Sequence, residues 1–291
     1  MRLRATDDRL GSTSRRLLAD REVFLMTGEL SDTSQEPLNK IDVTVPHSAR
    51  VWNYWLGGKD NYEVDRIVGD QVVQVFPAIR DSARAARAFL VRSVRYLTAE
   101  AGIRQFLDVG TGLPTADNTH QVAQRIVPEA RIVYVDNDPM VLAHARALLT
   151  SSPEGASGYV DADMHDTGRI VSEAARTLDF TQPIALIMNG IMGHVEDDDE
   201  AHSVVRRLVD AVPSGSYLAM SDGTDTNEAG VRSTGLYRDS GAIPYHMRSP
   251  EAFAAFFDGL ELVEPGVVAR EDWRPDFAQP PAASQDRKSV V

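Results

Sequence analysis

The sequence predicts an α/β fold in which a doubly wound, mostly parallel seven-stranded sheet follows a group of N-terminal helices. Short apolar segments recur between residues 105 and 270 without polar alternation, which is typical of strands buried on both faces. Helical segments alternate with these strands from residue 104 to 220, as crossovers between parallel strands require. The 291 residues are 43% hydrophobic, which is enough for a large buried core.

The first part of the predicted fold is helical. Ser48 can begin a helix, and the pair Gly57 and Gly58 can end it. Asp60 or Asn61 can cap a second helix, and a third has apolar residues at helical spacing. The three expected helices therefore cover about residues 46–57, 60–76 and 81–101.

The alternating part begins with five predicted strands, which are Gln105–Val109, Arg131–Val135, Gly158–Asp161, Ile184–Met188 and Ser216–Met220. The helices between them are expected at about Thr115–Val127, Pro139–Leu149, 166–177 and 197–212. A further helix near 250–257 and two strands near 260–263 and 266–270 complete the prediction. The last two strands are expected to form an antiparallel hairpin at one edge of the sheet.

Charge and composition limit the classes of partner. The chain carries 30 Lys and Arg against 43 Asp and Glu, a formal net charge of -13. Because such a surface repels phosphate groups, we expect neither a nucleic-acid partner nor an anionic membrane surface. The chain has no cysteine, which excludes disulfides and thiolate metal ligands, and no metal site is predicted. No apolar run approaches the roughly 20 residues of a membrane span, so we expect a cytoplasmic protein.

The strongest chemical signal is the segment Leu107–Thr115, between the first strand and the next helix. Gly110 and Gly112 allow a tight turn in which a ligand can approach the backbone. A dinucleotide-binding turn has a third glycine where this chain has Thr115, and a pyrophosphate disfavours the nearby carboxylate of Asp108. A ligand with a positive amino group and a sulfonium, such as S-adenosylmethionine (SAM), suits the acidic turn better.

Two further strand ends carry acids. Asp136 ends the second strand and is expected to accept hydrogen bonds from both ribose hydroxyls, with Asn137 beside it in the predicted cofactor site. After the third strand, Asp163 is expected to bind an adenine amino group and Met164 to cover the ring. Asp161 is the alternative to Asp163 for this contact. Three strand ends that each carry an acidic residue, in this order along the chain, favour SAM as the cofactor.

Six segments match one family pattern over about residues 43–277, and they are Pro46–Arg66, Arg87–Tyr96, Phe106–Thr115, Pro213–Leu218, Pro265–Val268 and Trp273–Pro275. Together they resemble the actinomycete S-adenosyl methyltransferase domain family, within the class I SAM-dependent methyltransferases. The resemblance implies a Rossmann-like methyltransferase core over residues 102–278, with residues 41–101 forming a helical cap over the cofactor. A flexible arm, 1–40, and a disordered tail, 279–291, are expected outside these domains.

The resemblance also implies contacts between the cap and the ligand, and residues at and after the fourth strand are further candidates by their position. In the helical cap, Asn61 is expected to bind the methionine end of SAM and Tyr62 to cover the ligand. The alternative for this segment is purely structural: the glycines end one helix, and Asn61 caps the N-terminus of the next. Asn189 is expected to join the cofactor site at the end of the fourth strand. His194 is a candidate to contact SAM or accept a substrate proton, with simple packing as the alternative. Tyr245 is a second catalytic candidate, in the variable region after the fifth strand.

The chain departs from the family pattern at three places. Asn53 stands where relatives tend to have Asp, and Ala86 stands where Asn is common. Residues 189–194 replace an apolar run that ends in Leu-His-His.

The expected function is methyl transfer from SAM, which leaves S-adenosylhomocysteine (SAH). The sequence does not identify the acceptor, and we expect a small metabolite before a protein side chain. The alternative is a non-catalytic regulatory protein that binds SAM or SAH. A nicotinamide-dependent oxidoreductase is disfavoured by the acidic turn. The sequence gives no indication of the oligomeric state.

Overall fold

The computed structural model describes residues 41–148 and 150–275 of the chain. The predicted arm, 1–40, and the predicted tail, 279–291, lie outside the described residues. None of the helices in the described ranges has the length and apolar character that a membrane crossing requires.

A parallel sheet forms the centre of the described part of the chain. Its five strands are β1 (Gln105–Val109), β2 (Arg131–Asp136), β3 (Ala156–Asp161), β4 (Ala185–Asn189) and β5 (Tyr217–Ser221). They lie in the order β3-β2-β1-β4-β5, and every neighbouring pair is parallel. The winding direction therefore changes at β1, next to the predicted ligand turn, and all strands present their carboxyl ends at the same edge of the sheet.

The described residues also form nine α-helices. They are α1 (Ser48–Trp55), α2 (Glu63–Val75), α3 (Ile79–Ala99), α4 (Thr119–Ile126), α5 (Pro139–Leu148), α6 (Thr167–Ala174), α7 (Asp198–Asp210), α8 (Glu228–Asp239) and α9 (Pro250–Ala254). Two short 3-10 turns, Met192–His194 and Ala255–Phe257, follow β4 and α9. The predicted helix near 250–257 is therefore α9 continued by a 3-10 turn.

Helices cover both faces of the sheet, because successive strand residues point to opposite sides. Leu107 and Val133 belong to one apolar cluster with α6 and α7. Phe106 and Ile132 belong to a second cluster, with α3 and α4. The predicted α/β fold with a parallel sheet is confirmed. However, α3 packs on the sheet, although the sequence analysis grouped it with the cap.

The prediction of seven strands is wrong, since the described residues form five. The expected hairpin over residues 260–270 is irregular backbone. Leu260 and Leu262 remain 38% and 52% exposed, so these two apolar side chains bury little surface. A tight turn, in which Gly266 N donates to Val263 O at 2.7 Å, interrupts the segment. Because strand preference depends on side-chain packing, this segment does not extend the sheet beyond β5.

The two N-terminal helices α1 and α2 pack against α8, which the sequence analysis did not predict. Val51, Val72 and Tyr237 are buried in this contact. The side chain of Asn227 caps α8 by accepting a hydrogen bond from Gly230 N at 2.9 Å. This packing fixes α1 near the sheet, but the role of α1 and α2 as a cap over a ligand stays a prediction.

Candidate functional site

A cavity opens where β1, β2, β3 and β4 end, and it holds about 200 Å³ of water-accessible space. Helices α1 and α3 form the rest of its wall, with apolar contributions from Trp52, Leu56 and Leu90. Nine of the twelve residues predicted for the site line this cavity, and these are Asp108, Gly110, Gly112, Asp136, Asn137, Asp163, Met164, Asn189 and His194.

The glycine turn after β1 has the backbone that only glycine adopts easily. Gly110 and Gly112 have φ values of 73° and 67°. A Cβ on Gly110 would lie 1.8 Å from Ile191 Cδ1, whereas a Cβ on Gly112 would meet nothing within 4 Å. Gly110 therefore permits close packing against the segment after β4, and Gly112 leaves open space beside the turn.

Asp108 is buried at the end of β1, with 5% of the residue exposed. Thr119 Oγ1 donates a hydrogen bond to its Oδ2 at 2.6 Å. Burial raises the pKa of Asp108 to about 6, against the opposing effects of the Thr119 hydrogen bond and the Arg87 charge. A cationic group of a ligand would therefore stabilise the charged form of this carboxyl group.

Asp136 ends β2 and is also buried. Its Oδ2 accepts a hydrogen bond from Gly112 N at 2.8 Å, and its Oδ1 accepts one from Asp138 N at 3.0 Å. Burial raises the pKa of Asp136, although these two hydrogen bonds act to lower it. His47 Nδ1 lies 3.0 Å from Asp138 Oδ2, which links the start of α1 to this strand end. Each Asp136 oxygen retains acceptor capacity for a ligand hydroxyl.

The third acidic turn brings Asn137 and Asp163 together, since Asn137 Nδ2 donates to Asp163 Oδ2 at 3.1 Å. The backbone N–H of His165 donates to Asp163 Oδ1 at 3.0 Å. Partial burial acts to raise the pKa of Asp163, but hydrogen bonds from His165 and Asn137 outweigh it and lower the pKa. Met164 lines the cavity beside this pair, whereas the alternative residue Asp161 lies outside the lining.

One polar side chain of the cavity, Asn189, ends β4, and a second, His194, follows it. The amide atoms of Asn189 are buried and have no hydrogen-bond partner among the residues that the structure describes. His194 Nδ1 lies 3.0 Å from the carbonyl oxygen of Pro244, and burial lowers the pKa of His194. This end of the cavity therefore offers hydrogen-bonding groups that the described part of the chain leaves unused.

Tyr245 lies next to His194 but outside the lining of the cavity. Its ring meets the His194 ring edge-on, with centroids 5.1 Å apart and an interplanar angle of 85°. Its hydroxyl donates to the Asp222 carboxylate and accepts a hydrogen bond from Gly223 N at 3.1 Å. Burial and the Asp222 charge raise the pKa of Tyr245 well above its usual value. Tyr245 therefore holds the His194 ring, and its own catalytic role stays a prediction.

The structure places Asn61 and Tyr62 outside the lining that the described residues form. Asn61 Nδ2 donates to Asn53 Oδ1 at 2.9 Å, inside the N-terminal helices. Tyr62 packs against Leu113 and Met140, at the side of the glycine turn. Direct contact between the ligand and Asn61 or Tyr62 stays a prediction.

One face of α1 lines the cavity, and the sequence analysis did not assign it to the site. It consists of Ser48, Ala49, Trp52, Asn53 and Leu56. Separations of three and four residues indicate a common helix face, but that spacing is equally typical of packing against protein. All three departures from the family pattern, at positions 53, 86 and within 189–194, contribute to the lining.

A metal-binding cluster of three or more His, Cys, Asp or Glu residues is not found within residues 41–148 and 150–275. The polar groups of the cavity are instead separated along neighbouring strand ends, with an acid at the end of β1, one at the end of β2 and one after β3. This arrangement suits an extended organic ligand with several polar parts.

Comparison with known proteins gives a consistent result. A family model described as S-adenosyl methyltransferase matches residues 34–291. The crystal structure of a DUF574 family protein from Streptomyces avermitilis is 46% identical, with a TM-score of 0.79 over 81% of this chain and 92% of that chain. A structure from Thermobifida fusca, described as a candidate methyltransferase, is 43% identical, with a TM-score of 0.77 over 82% of this chain and 90% of that chain. No protein with a curated functional description is significantly similar.

Proposed function

Because this chain belongs to the S-adenosyl methyltransferase family, we propose that it binds SAM in the strand-end cavity and methylates a small molecule held beside it. One observation carries this proposal. Asp108, Asp136 and Asp163 end or follow three neighbouring strands, and all three line the same cavity. Their order matches the ammonium, ribose and adenine parts of SAM.

The residues present fit the parts of the cofactor. The open space beside Gly112 leaves room for a ligand against the turn, where a side chain would stand. Asp136 has the acceptor capacity for two ribose hydroxyls, and Asp163 can accept from the adenine amino group. Asp108 gains an ionic partner from the ligand ammonium, which compensates its burial.

Asn189 supports the same fit from the other side of the cavity. A buried polar group without a partner costs on the order of 1–3 kcal/mol, so its presence indicates a ligand that satisfies it. Its amide can both donate and accept, and the methionine end of SAM offers a carboxylate and an ammonium.

Bound SAM would supply a methyl group already activated on a sulfonium. The chain then has to orient the acceptor and exclude water. Trp52 and Leu56 place apolar surface of α1 over the cavity, and His47 ties the start of α1 to Asp138. We therefore assign α1 and α2 as the cap of the site, with the polar interior of the cap held by Asn53 and Asn61.

Two features favour a small acceptor. The cavity has a volume of about 200 Å³ and is lined in part by α1 and α3, and the net charge of -13 disfavours nucleic acid. The comparisons give no support to a non-catalytic regulatory protein, and no observation favours it over methyl transfer.

Titration calorimetry with SAM, SAH and NAD tests the proposed cofactor. SAM and SAH should bind with micromolar dissociation constants, because the three carboxylates and the Asn189 amide match their polar groups. NAD should not bind, since its pyrophosphate would lie beside Asp108. Binding of NAD, or of none of the three ligands, would contradict the assignment of this cavity to SAM.

A further inference from the structure

The tautomer of His194 is determined by the Pro244 carbonyl. A carbonyl oxygen only accepts hydrogen bonds, so the 3.0 Å contact requires Nδ1 of His194 to carry the proton. The other ring nitrogen, Nε2, then has a free lone pair, and no residue in the described ranges occupies it with a hydrogen bond. Burial lowers the pKa of His194, which keeps the ring neutral near pH 7.

Contacts within the protein hold the His194 ring and its backbone in place. Arg248 donates hydrogen bonds to Met192 O at 2.8 Å and to Val195 O at 2.7 Å, on either side of His194. A Cβ on Gly193 would lie 2.4 Å from the Tyr245 ring, so the absence of a side chain lets Tyr245 press against the histidine.

The charged groups around His194 come from three directions. His47, at the start of α1, acts to lower the His194 pKa by its charge. Asp222 lies behind Tyr245 and is tied to its hydroxyl. Arg248 is paired with Asp198, at 2.8 Å, so its charge is compensated. None of these contacts uses Nε2.

We propose that His194 Nε2 is the general base that takes the proton from a neutral phenolic hydroxyl of the methyl acceptor, an inference that rests on the proposed function. A phenol has a pKa of about 10, which lies closer to that of an imidazole than the pKa of an aliphatic alcohol does. Trp52 and Ile243 line the cavity and suit an aromatic ring, and the Trp52 ring lies beside Gly190, near the end of β4.

A positively charged amine suits this end of the cavity less well. An ammonium needs a carboxylate partner, but the three acids of the lining follow β1, β2 and β3, where the cofactor is assigned. The side chains of the lining at and after the end of β4 are Asn189, Ile191 and His194, which are neutral.

The reaction balances with His194 as the proton acceptor. An oxygen lone pair of the acceptor forms the new bond to the methyl carbon, and the carbon–sulfur bond breaks with its electron pair left on sulfur. The hydroxyl proton moves to Nε2, so the positive charge of the sulfonium is replaced by that of the imidazolium. The imidazolium then returns its proton to solvent.

Nitrogen-15 NMR of the full-length protein with SAH tests the tautomer without any activity. Histidine is labelled, and the His194 signals are assigned by their loss in His194→Gln. At pH 7, Nδ1 should be protonated and Nε2 unprotonated, and the ring should titrate below 6.5, the usual value. A proton on Nε2, or a cationic ring at pH 7, would overturn the proposal.

A pair of phenols tests the base itself, with methyl transfer from labelled SAM as the readout. 4-Methylphenol is neutral at pH 7.5 and needs a base, whereas 2,4-dinitrophenol is already ionised. His194→Ala should lower kcat for 4-methylphenol by about 10²–10⁴-fold, the usual contribution of a general base, and lower it far less for 2,4-dinitrophenol. An equal loss of kcat for both phenols would mean that His194 only packs against its neighbours. If the wild-type protein methylates neither phenol, the proposal of a phenolic acceptor is overturned.

His202→Gln is the matched control, because this histidine lies on α7 and stacks on Phe256 away from the cavity. It should behave as wild type with both phenols. The SAH affinity of each variant distinguishes a failure of the proposed role of His194 from a failure of the proposed SAM site. If SAH binds but the NMR or phenol results are negative, only the role of His194 fails. If SAH does not bind to the wild-type protein, the proposed function fails as well.

Discussion

The amide of Gly112 donates a hydrogen bond to the Asp136 carboxylate at 2.8 Å, which joins the turn after β1 to the end of β2. The same carboxylate is the group expected to accept the ribose hydroxyls of SAM. Each of its oxygens can accept more than one hydrogen bond, so the turn and the ligand can share it. The ligand site is thus organised in part by a hydrogen bond within the protein itself.

Replacement of Asp136 tests the predicted ribose contact. Asp136→Ala should weaken SAH binding by about 1–3 kcal/mol, because charge-assisted hydrogen bonds to the ligand are lost. Asp136→Asn keeps one oxygen for Gly112 and should lose less. Calorimetry measures both. Asp161→Ala is the control, since Asp161 ends the neighbouring strand but is exposed outside the cavity; an effect equal to that of Asp136→Ala would refute the contact.

Asp108 should make the ligand-free protein less stable as the pH rises. Its folded-state pKa of about 6 lies above its ordinary value of 3.8, so the stability it contributes is present below pH 3.8 and is lost as the pH rises through 6. Asp108→Asn removes this titration. The unfolding free energy of Asp108→Asn relative to wild type should therefore increase by about 2 kcal/mol between pH 4.5 and pH 8.

Urea unfolding at both pH values measures this difference. Asp81→Asn is a suitable control, because Asp81 is an exposed carboxylate on α3. At pH 8 the Asp108→Asn protein should also bind SAM more weakly, since the partner of the ligand ammonium is gone. A pH-independent difference in stability would show that Asp108 is not strained by its burial.

Substitutions of the two glycines in the turn should impair SAH binding for different reasons. Gly110→Ala places a methyl group against Ile191, so it should destabilise the fold and lose SAH binding together. Gly112→Ala meets no atom of the protein, so it should cost only about 1–2 kcal/mol of stability for its positive φ, yet still impair binding by filling ligand space.

The double variant Gly110→Ala with Ile191→Ala separates these effects. Removing the Ile191 side chain relieves the overlap, so the double variant should be more stable than Gly110→Ala alone when both are measured by thermal unfolding. If the double variant loses as much stability as the two single variants together, then the overlap between residues 110 and 191 is not what destabilises Gly110→Ala.

The cap should become less mobile when the cofactor binds. Backbone amides of residues 50–58 should exchange with deuterium more slowly after SAH is added, because Trp52 and Leu56 line the site that the ligand fills. Amides of residues 204–210, in the second half of α7, lie outside the lining of the cavity, so they should not change and serve as the internal control. Exchange in 50–58 that is already slow and unaffected by SAH would identify α1 as rigid packing.

The strands and the acidic turns could be predicted because their signals are local. β1 has the bounds that were predicted, and the other four strands differ from the prediction by at most two residues at either end. A parallel strand buried on both faces has to be apolar throughout, so its sequence marks its position. Asp108, Asp136 and Asp163 were identified because each comes directly at or after such a strand.

The last predicted strands and α8 show the opposite case. Residues 260–270 contain strand-forming residues, yet Leu260 and Leu262 stay exposed, Val267 and Val268 pack on the core without pairing with a strand, and the segment stays irregular. α8 has a polar sequence. Its helical structure is stabilised by the Asn227 cap and by the packing of Tyr237 against α1 and α2. Both outcomes depend on partners that are distant in sequence.

The sequence by itself determined the parallel sheet and the acid at each of three strand ends, because apolar periodicity and strand-end position are properties of consecutive residues. Only the tertiary structure decided which face of α1 lines the cavity and which nitrogen of His194 carries a proton. Pro244 is fifty residues from His194 along the chain, and Gly190 is far from Trp52, so these contacts arise from how distant segments pack. A hydrogen bond that selects a tautomer leaves no pattern in the residues on either side of it.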